Sequence, residues 1–197
     1  MSDKPVNVFL AGVGGQGLVL VNRLLARAAI LSDLHAKSTD THGLAMRGGA
    51  VMGTLRMGRR EIATSLFPPG AGGFLLGLEP LEAFRWAHML RRGGTIVTSV
   101  DELWPSLTLL EQQKMPADWR ATCVAGGIKV RTVPGVKLAL LAGDYRMLNV
   151  VMAGAISAFL PLDFEMVKEA TEAQVPRGTF DKNLKALMLG WDAAQTA

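Results

Sequence analysis

The stretch Val6-Asn-Val-Phe-Leu-Ala11 runs directly into Gly12-Val-Gly14-Gly15-Gln16-Gly17 and then into Leu18-Val-Leu-Val21. The apolar run predicts a strand over Val6–Ala11. Apolar residues at Leu18, Val21, Leu25, Ala28 and Ala29 recur at helical spacing and predict a helix over Leu18–Leu31. A strand, a glycine turn and a helix in that order point to an α/β sheet. The same turn meets the needs of a bound phosphate: a sharp bend at Gly12, close backbone approach at Gly14 and Gly15, and helix packing at Gly17. A dinucleotide fingerprint would add an acid about 20 residues further on to hold a ribose. The next strand candidate is Leu34–Ser38, and Asp40 beyond it comes too late for that role.

From Ser38 to Gly49 the sequence is polar and glycine-rich and predicts a long functional loop. Ala50–Met57 and Glu61–Leu66 have strand character and are joined by Gly58-Arg59-Arg60, as in a hairpin. Phe67–Gly73 is a proline- and glycine-rich connector. Phe74–Leu78 is a continuous apolar run, the pattern of a strand covered on both faces. Glu79-Pro80 then opens a predicted helix to Leu90, with Arg91-Arg92 as its basic last turn and Gly93-Gly94 as its stop. Thr95–Val100 is a further strand. Trp119–Val124 with Val130–Val133 reads as a short αβ unit, and Val136–Leu141 as a short helix. The last third is helical over Arg146–Leu160, Asp163–Ala173 and Lys182–Ala194, with breaks at Pro161 and at Pro176-Arg-Gly178. The expected architecture is a single domain over residues 1–197: Rossmann-like and three-layered, with a mostly parallel sheet and a helical C-terminal third.

Composition narrows the class. Hydrophobic residues make 49% and charged residues 19% of 197 positions, and the mean hydropathy is +0.25, so part of the apolar excess is expected in a subunit interface. The most apolar segment, Met147–Leu162, is interrupted by Asn149 and Ser157 and is too short for a membrane span. The net charge is +4, with basic residues spread along the chain, which argues against a nucleic-acid footprint and suits an anionic metabolite. One cysteine, Cys123, excludes an intrachain disulfide and any cysteine-ligated iron–sulfur cluster within this chain. It reads as a small buried hydrophobe. The polar start Met-Ser-Asp-Lys-Pro has no apolar core behind it, so a cytoplasmic location is expected.

Three further clusters accompany the glycine turn: Thr41-His42-Gly43 closing on Arg47-Gly48-Gly49, Gly77-Leu-Glu79-Pro80-Leu-Glu82-Ala-Phe-Arg85, and Asn149-Val-Val-Met-Ala-Gly154. In this combination and order they resemble the gamma-type component of 2-oxoacid:ferredoxin oxidoreductases, most closely the indolepyruvate type. The resemblance runs from about Val6 to Gly190. It implies part of an enzyme that oxidatively decarboxylates a 2-oxoacid to an acyl-CoA and reduces ferredoxin. Thiamine diphosphate, Mg and 4Fe-4S clusters would belong to a larger alpha subunit, and coenzyme A would be the acyl acceptor. No Gly-Asp-Gly thiamine-diphosphate signature stands in this chain, which is expected to hold no cofactor alone. The other readings are a stand-alone NAD(P)- or flavin-binding protein and a non-catalytic interaction module.

Several side chains carry both a functional and a plain structural reading. Gly12, Gly14, Gly15 and Gly17 form either an anion cradle or merely a tight turn, and Gln16 hydrogen-bonds a ligand or a partner subunit, or merely faces solvent. Arg47, followed by Gly48 and Gly49, suits a carboxylate or phosphate through its bidentate fork, or anchors its own loop. His42 is a candidate proton shuttle, although a lone loop histidine is more often structural. Thr41 is assigned to support or interface. Glu79, Glu82 and Arg85 fall on one helix, where Glu82 and Arg85 can pair, either at an interface or as ordinary dipole compensation. Asn149 lies in an apolar helix and requires a partner if it faces inward, either the glycine turn or another subunit.

Overall fold

A computed structural model describes residues 4–41, 49–102 and 116–196. Strand β1 (Val6–Val13) leads through the glycine turn to helix α1 (Leu18–Leu31), followed by β2 (His35–Thr41) and β3 (Ala50–Gly58). Then come β4 (Gly72–Gly77), α2 (Pro80–Arg85), β5 (Leu90–Ser99), α3 (Trp119–Ala125), β6 (Lys129–Val133) and α4 (Gly135–Ala142). Helices α5 (Leu148–Ser157), α6 (Phe164–Gln174) and α7 (Phe180–Gln195) complete the described chain. The six strands form one sheet in the order β2-β3-β1-β4-β5-β6. Only β3 runs against the others, so the sheet is mostly parallel and the α/β expectation holds.

Alternation along β1 divides the core between two faces. Val8 and Leu10 enter a large cluster with α1, α4, α5, α6 and α7, whereas Phe9 and Ala11 enter a smaller one with α2 and α3. Helices therefore cover both faces, giving three layers. Leu10, Leu24, Leu25, Leu55, Leu76 and Met152 are fully buried, and each such side chain contributes about 1.5–3 kcal/mol through burial.

Four sequence expectations need correction. Glu61–Leu66 is not a strand: Arg56 donates to the Thr64 and Leu66 carbonyls and Lys37 to that of Ala63, so side chains take up carbonyls that a hairpin ladder would use. The antiparallel hairpin of this region is β2 with β3, and it converts Ser38–Thr41 from predicted loop to strand. The helix expected to reach Leu90 ends at Arg85 and passes through a 3-10 turn over Ala87–Met89. Consequently Arg91–Gly94, read as a helix stop, belongs to β5, where the parallel pairing Gly72↔Leu90 starts the strand early. The helix expected from Arg146 starts at Leu148 after a 3-10 turn over Tyr145–Met147.

Helices α5 and α7 cross with no side chain between them. A Cβ on Gly154 would fall on the Leu187 carbonyl oxygen, and one on Gly190 on the Val151 carbonyl oxygen. Both glycines are thus required by backbone-to-backbone contact. Gly154→Ala or Gly190→Ala is expected to lower stability by about 1–3 kcal/mol through overpacking. At roughly 2–4 °C of Tm per kcal/mol for a domain of this size, thermal unfolding reads the effect. An unchanged Tm would contradict the crossing.

Candidate functional site

The strand order places a topological switch between β1 and β4. The helix after β1 covers the large-cluster face and the helix after β4 covers the opposite one, so the chain leaves a crevice at their carboxyl ends. A cleft of about 490 Å3 opens beside it, at the carboxyl ends of β1 and β5. Its walls are Gly14–Gly17 after β1, Asp101 and Glu102 after β5, Val136 at the start of α4, and Tyr145, Arg146, Leu148 and Asn149 at the start of α5.

Gln16 shapes the turn itself. Its side-chain oxygen accepts from the Val13 N–H at 2.7 Å, and its side-chain nitrogen donates to the Leu78 carbonyl at 3.4 Å. The amide therefore ties β1 to the end of β4 from within the fold. Gly12 makes room for it, since a Cβ there would lie 2.9 Å from the Gln16 oxygen. Gly14 donates to the Gly49 carbonyl at 2.8 Å, which brings two of the expected residues together at the base of the cleft. Gly15 (φ 100°) and Gly17 (φ 80°) adopt left-handed backbone that other residues resist. Their N–H groups make no backbone hydrogen bond among the described residues. Gly17 caps α1 with no side-chain acceptor, leaving the positive end of the helix dipole toward the cleft.

Two neighbouring helical starts, those of α4 and of the Tyr145–Met147 turn, receive carboxylates of this chain. Asp101 accepts from the Val136 N–H at 2.8 Å and from the Ser99 hydroxyl at 2.7 Å, so its carboxylate serves the start of α4. Asp144 accepts from the Arg146 N–H at 2.9 Å and also holds the Arg146 guanidinium, with Nη2–Oδ2 at 2.6 Å. Those hydrogen bonds hold the Asp144 carboxyl down at about 2.

The remaining expected residues fall as follows. Asn149 lines the cleft beside Gly17. Thr41 ends β2 opposite Met52, two strands from β1 and exposed. Glu79 caps α2 by accepting from the Glu82 N–H at 2.8 Å, and Glu82 pairs with Arg85 at 2.8 Å. Glu82 is fully buried, and one of its carboxylate oxygens has no hydrogen-bond partner among the described residues. Burial, as the largest influence, pushes both acids above their ordinary value. Asp40 is taken by the Asn22 amide at 2.7 Å, far from any ribose role. His42, Arg47 and Gly48 lie outside the described residues.

Sequence reading missed Asp101, Glu102, Tyr145 and Arg146. The first two were within reach, because ligands of parallel sheets bind where strands end and Asp101 directly follows the predicted strand to Val100. Tyr145 directly precedes the helix predicted from Arg146, and both residues fall in the 3-10 turn that stands before the helix in the structure.

A family model for pyruvate ferredoxin/flavodoxin oxidoreductase matches residues 7–193. The chain is 32% identical, over 98% of its length and 97% of the relative's, to the indolepyruvate oxidoreductase subunit IorB of Thermococcus kodakarensis. Among solved structures, the gamma subunit of a keto/oxoacid ferredoxin oxidoreductase from Geobacter sulfurreducens superimposes with a TM-score of 0.74 at 22% identity, covering 98% of this chain and 99% of that one. The 2-oxoglutarate:ferredoxin oxidoreductase of Magnetococcus marinus, solved with 2-oxoglutarate, coenzyme A and succinyl-CoA bound, superimposes with a TM-score of 0.78 at 17% identity. It covers all of this chain, which corresponds to 32% of that longer chain. These two structures bear on the fold, which they share.

The buried acids predict a pH dependence. A carboxyl whose folded pKa lies above 4.5 is still protonated in the folded chain when it has ionised in the unfolded one. Its contribution to stability is complete below pH 4.5 and is lost as pH rises through the folded value. Relative to Glu82→Gln, wild-type stability from urea midpoints is therefore expected to decline from pH 4.5 toward neutrality. A difference independent of pH would contradict this.

Proposed function

The chain belongs to the pyruvate ferredoxin/flavodoxin oxidoreductase family, and on that premise we propose that it is the small, beta-type subunit of an indolepyruvate:ferredoxin oxidoreductase. Such an enzyme converts an aryl 2-oxoacid and coenzyme A into an acyl-CoA and CO2, passing two electrons to ferredoxin. The observation that carries the assignment is the end-to-end match with a relative named for indolepyruvate. The stand-alone nucleotide reading is weakened by Asp40, whose carboxylate is engaged by Asn22 instead of facing the glycine turn.

Thiamine diphosphate with Mg supplies carbanion stabilisation, and 4Fe-4S clusters supply electron transfer, on a larger alpha subunit. A chain with one buried cysteine is suited to completing such an assembly, not to ligating a cluster itself. Exposed Leu140 and Leu141 on α4 and Tyr145 in the turn that follows are of the kind a subunit contact covers. Among the described residues no helix is long and apolar enough to cross a membrane.

Within the assembly, this subunit's part is to bind and orient the acyl acceptor. The Gly15 and Gly17 N–H groups, which make no backbone hydrogen bond among the described residues, and the dipole of α1 favour a phosphate of coenzyme A. Co-expression with the adjacent cysteine-rich large subunit, followed by assay of CoA-dependent indolepyruvate oxidation with ferredoxin or a viologen dye, tests the proposal. The complex is expected to turn over and the isolated chain is not. Tight NAD binding with substrate reduction by the isolated chain would overturn it.

A further inference from the structure

Because β3 runs against β1 and β4, its carboxyl end meets their amino ends at the end of the sheet opposite the cleft. Val6, Met57 and Phe74 present apolar side chains there on the large-cluster face. Residues 158–161, which connect α5 to α6, supply the other wall. Between them is a cavity of about 320 Å3. Met57 and Leu160 are buried in its lining, whereas Val6, Leu34, Phe74 and Phe159 are only half-buried, so an apolar occupant would remove further apolar surface from water.

The charge at this cavity has one sign. Lys4 before β1 and Arg59 after β3 line it, both exposed, and no acid is among the described residues of its lining. Each cation also has an interaction elsewhere in the chain, yet an ammonium and a guanidinium carry more donors than one acceptor uses. The carboxyl end of α5 reaches the same place with about half a negative charge. Its Ile156 and Ser157 carbonyls are already taken by the Phe159 and Leu160 N–H groups, at 3.0 and 3.2 Å. Two full positive charges outweigh that remainder, and the cavity favours an anion.

We propose that this cavity is a ligand site separate from the cleft, and that it takes a monocarboxylate with an apolar body of about eight carbons. At about 30 Å3 per water-sized group, its volume holds roughly ten non-hydrogen atoms. The body lies against Val6, Phe74 and Phe159, and the carboxylate meets Arg59 and Lys4 at the rim. A free phosphate has no apolar body for these walls, and a neutral hydrocarbon leaves the cations unused. Helix α5 separates the two sites, running from Asn149 at the cleft to Ala158 at the cavity, and its ten residues span about 15 Å.

The test titrates octanoate into the full 197-residue chain by isothermal calorimetry, with octanamide as the neutral isostere and acetate as the charge without the body. Octanoate is expected to bind with a Kd below about 1 mM, and the other two at least about tenfold more weakly. Arg59→Glu, at an exposed position, is expected to weaken octanoate at least about fivefold and to leave octanamide within about twofold. Ala158→Phe, which fills the cavity from the end of α5, is expected to abolish octanoate binding. Should Ala158→Phe not fold, Leu34→Glu, at a half-buried position of the lining, must give the same loss. Octanoate that does not bind, that binds no better than octanamide, or that binds Arg59→Glu or the cavity variant as it binds wild type overturns the proposal.

Discussion

The Gln16 amide is the interaction on which the rest of the molecule depends. The Val13 N–H at the end of β1 is buried and must be satisfied, and the chain is about to turn sharply away from the sheet. Gln16 accepts that hydrogen at 2.7 Å and reaches Leu78 beyond the end of β4 with its other end. One side chain thereby closes the turn and ties the two strands, and Gly15 and Gly17 beside it take left-handed backbone. Gly12 has no Cβ because the Gln16 oxygen occupies that space.

The expected ligand role for Gln16 and the observed structural one differ in an instructive way. The turn needs an internal acceptor before it can present external donors. The amide supplies the first, and the glycines and the unadorned start of α1 supply the second. Around it, the starts of α4 and of the Tyr145–Met147 turn each receive a carboxylate of this chain, whereas α1 has no side-chain cap and no acid in its first turn.

How far the sequence revealed this follows from how local each signal was. Strand β1 and helix α1 were legible because alternation, glycine punctuation and helical spacing coincide within 26 residues, Val6 to Leu31, and α1 has the predicted bounds. The C-terminal helices were legible for the same reason. The segment Glu61–Leu66 misled because its apolar alternation has no ladder partner, and Arg56 and Lys37 on neighbouring strands claim its carbonyls. The helix after Glu79 was overextended because Arg91-Arg92-Gly93-Gly94 copies a helix ending, while its true role depends on pairing with β4, a partner chosen in three dimensions. At the site, the glycine turn was visible and Asn149 was singled out, but Arg146, Asp101 and Glu102 meet it only through the sheet order. No periodicity encodes that meeting.

On the proposed function, this subunit presents the glycine turn of its cleft to a phosphate of the acyl acceptor. The most direct measurement is a structure of the co-expressed complex with coenzyme A bound. A CoA phosphate oxygen is expected within hydrogen-bond distance, about 2.7–3.2 Å, of the Gly15 or Gly17 nitrogen. Coenzyme A held entirely by the larger subunit, with this cleft left to solvent, would contradict it.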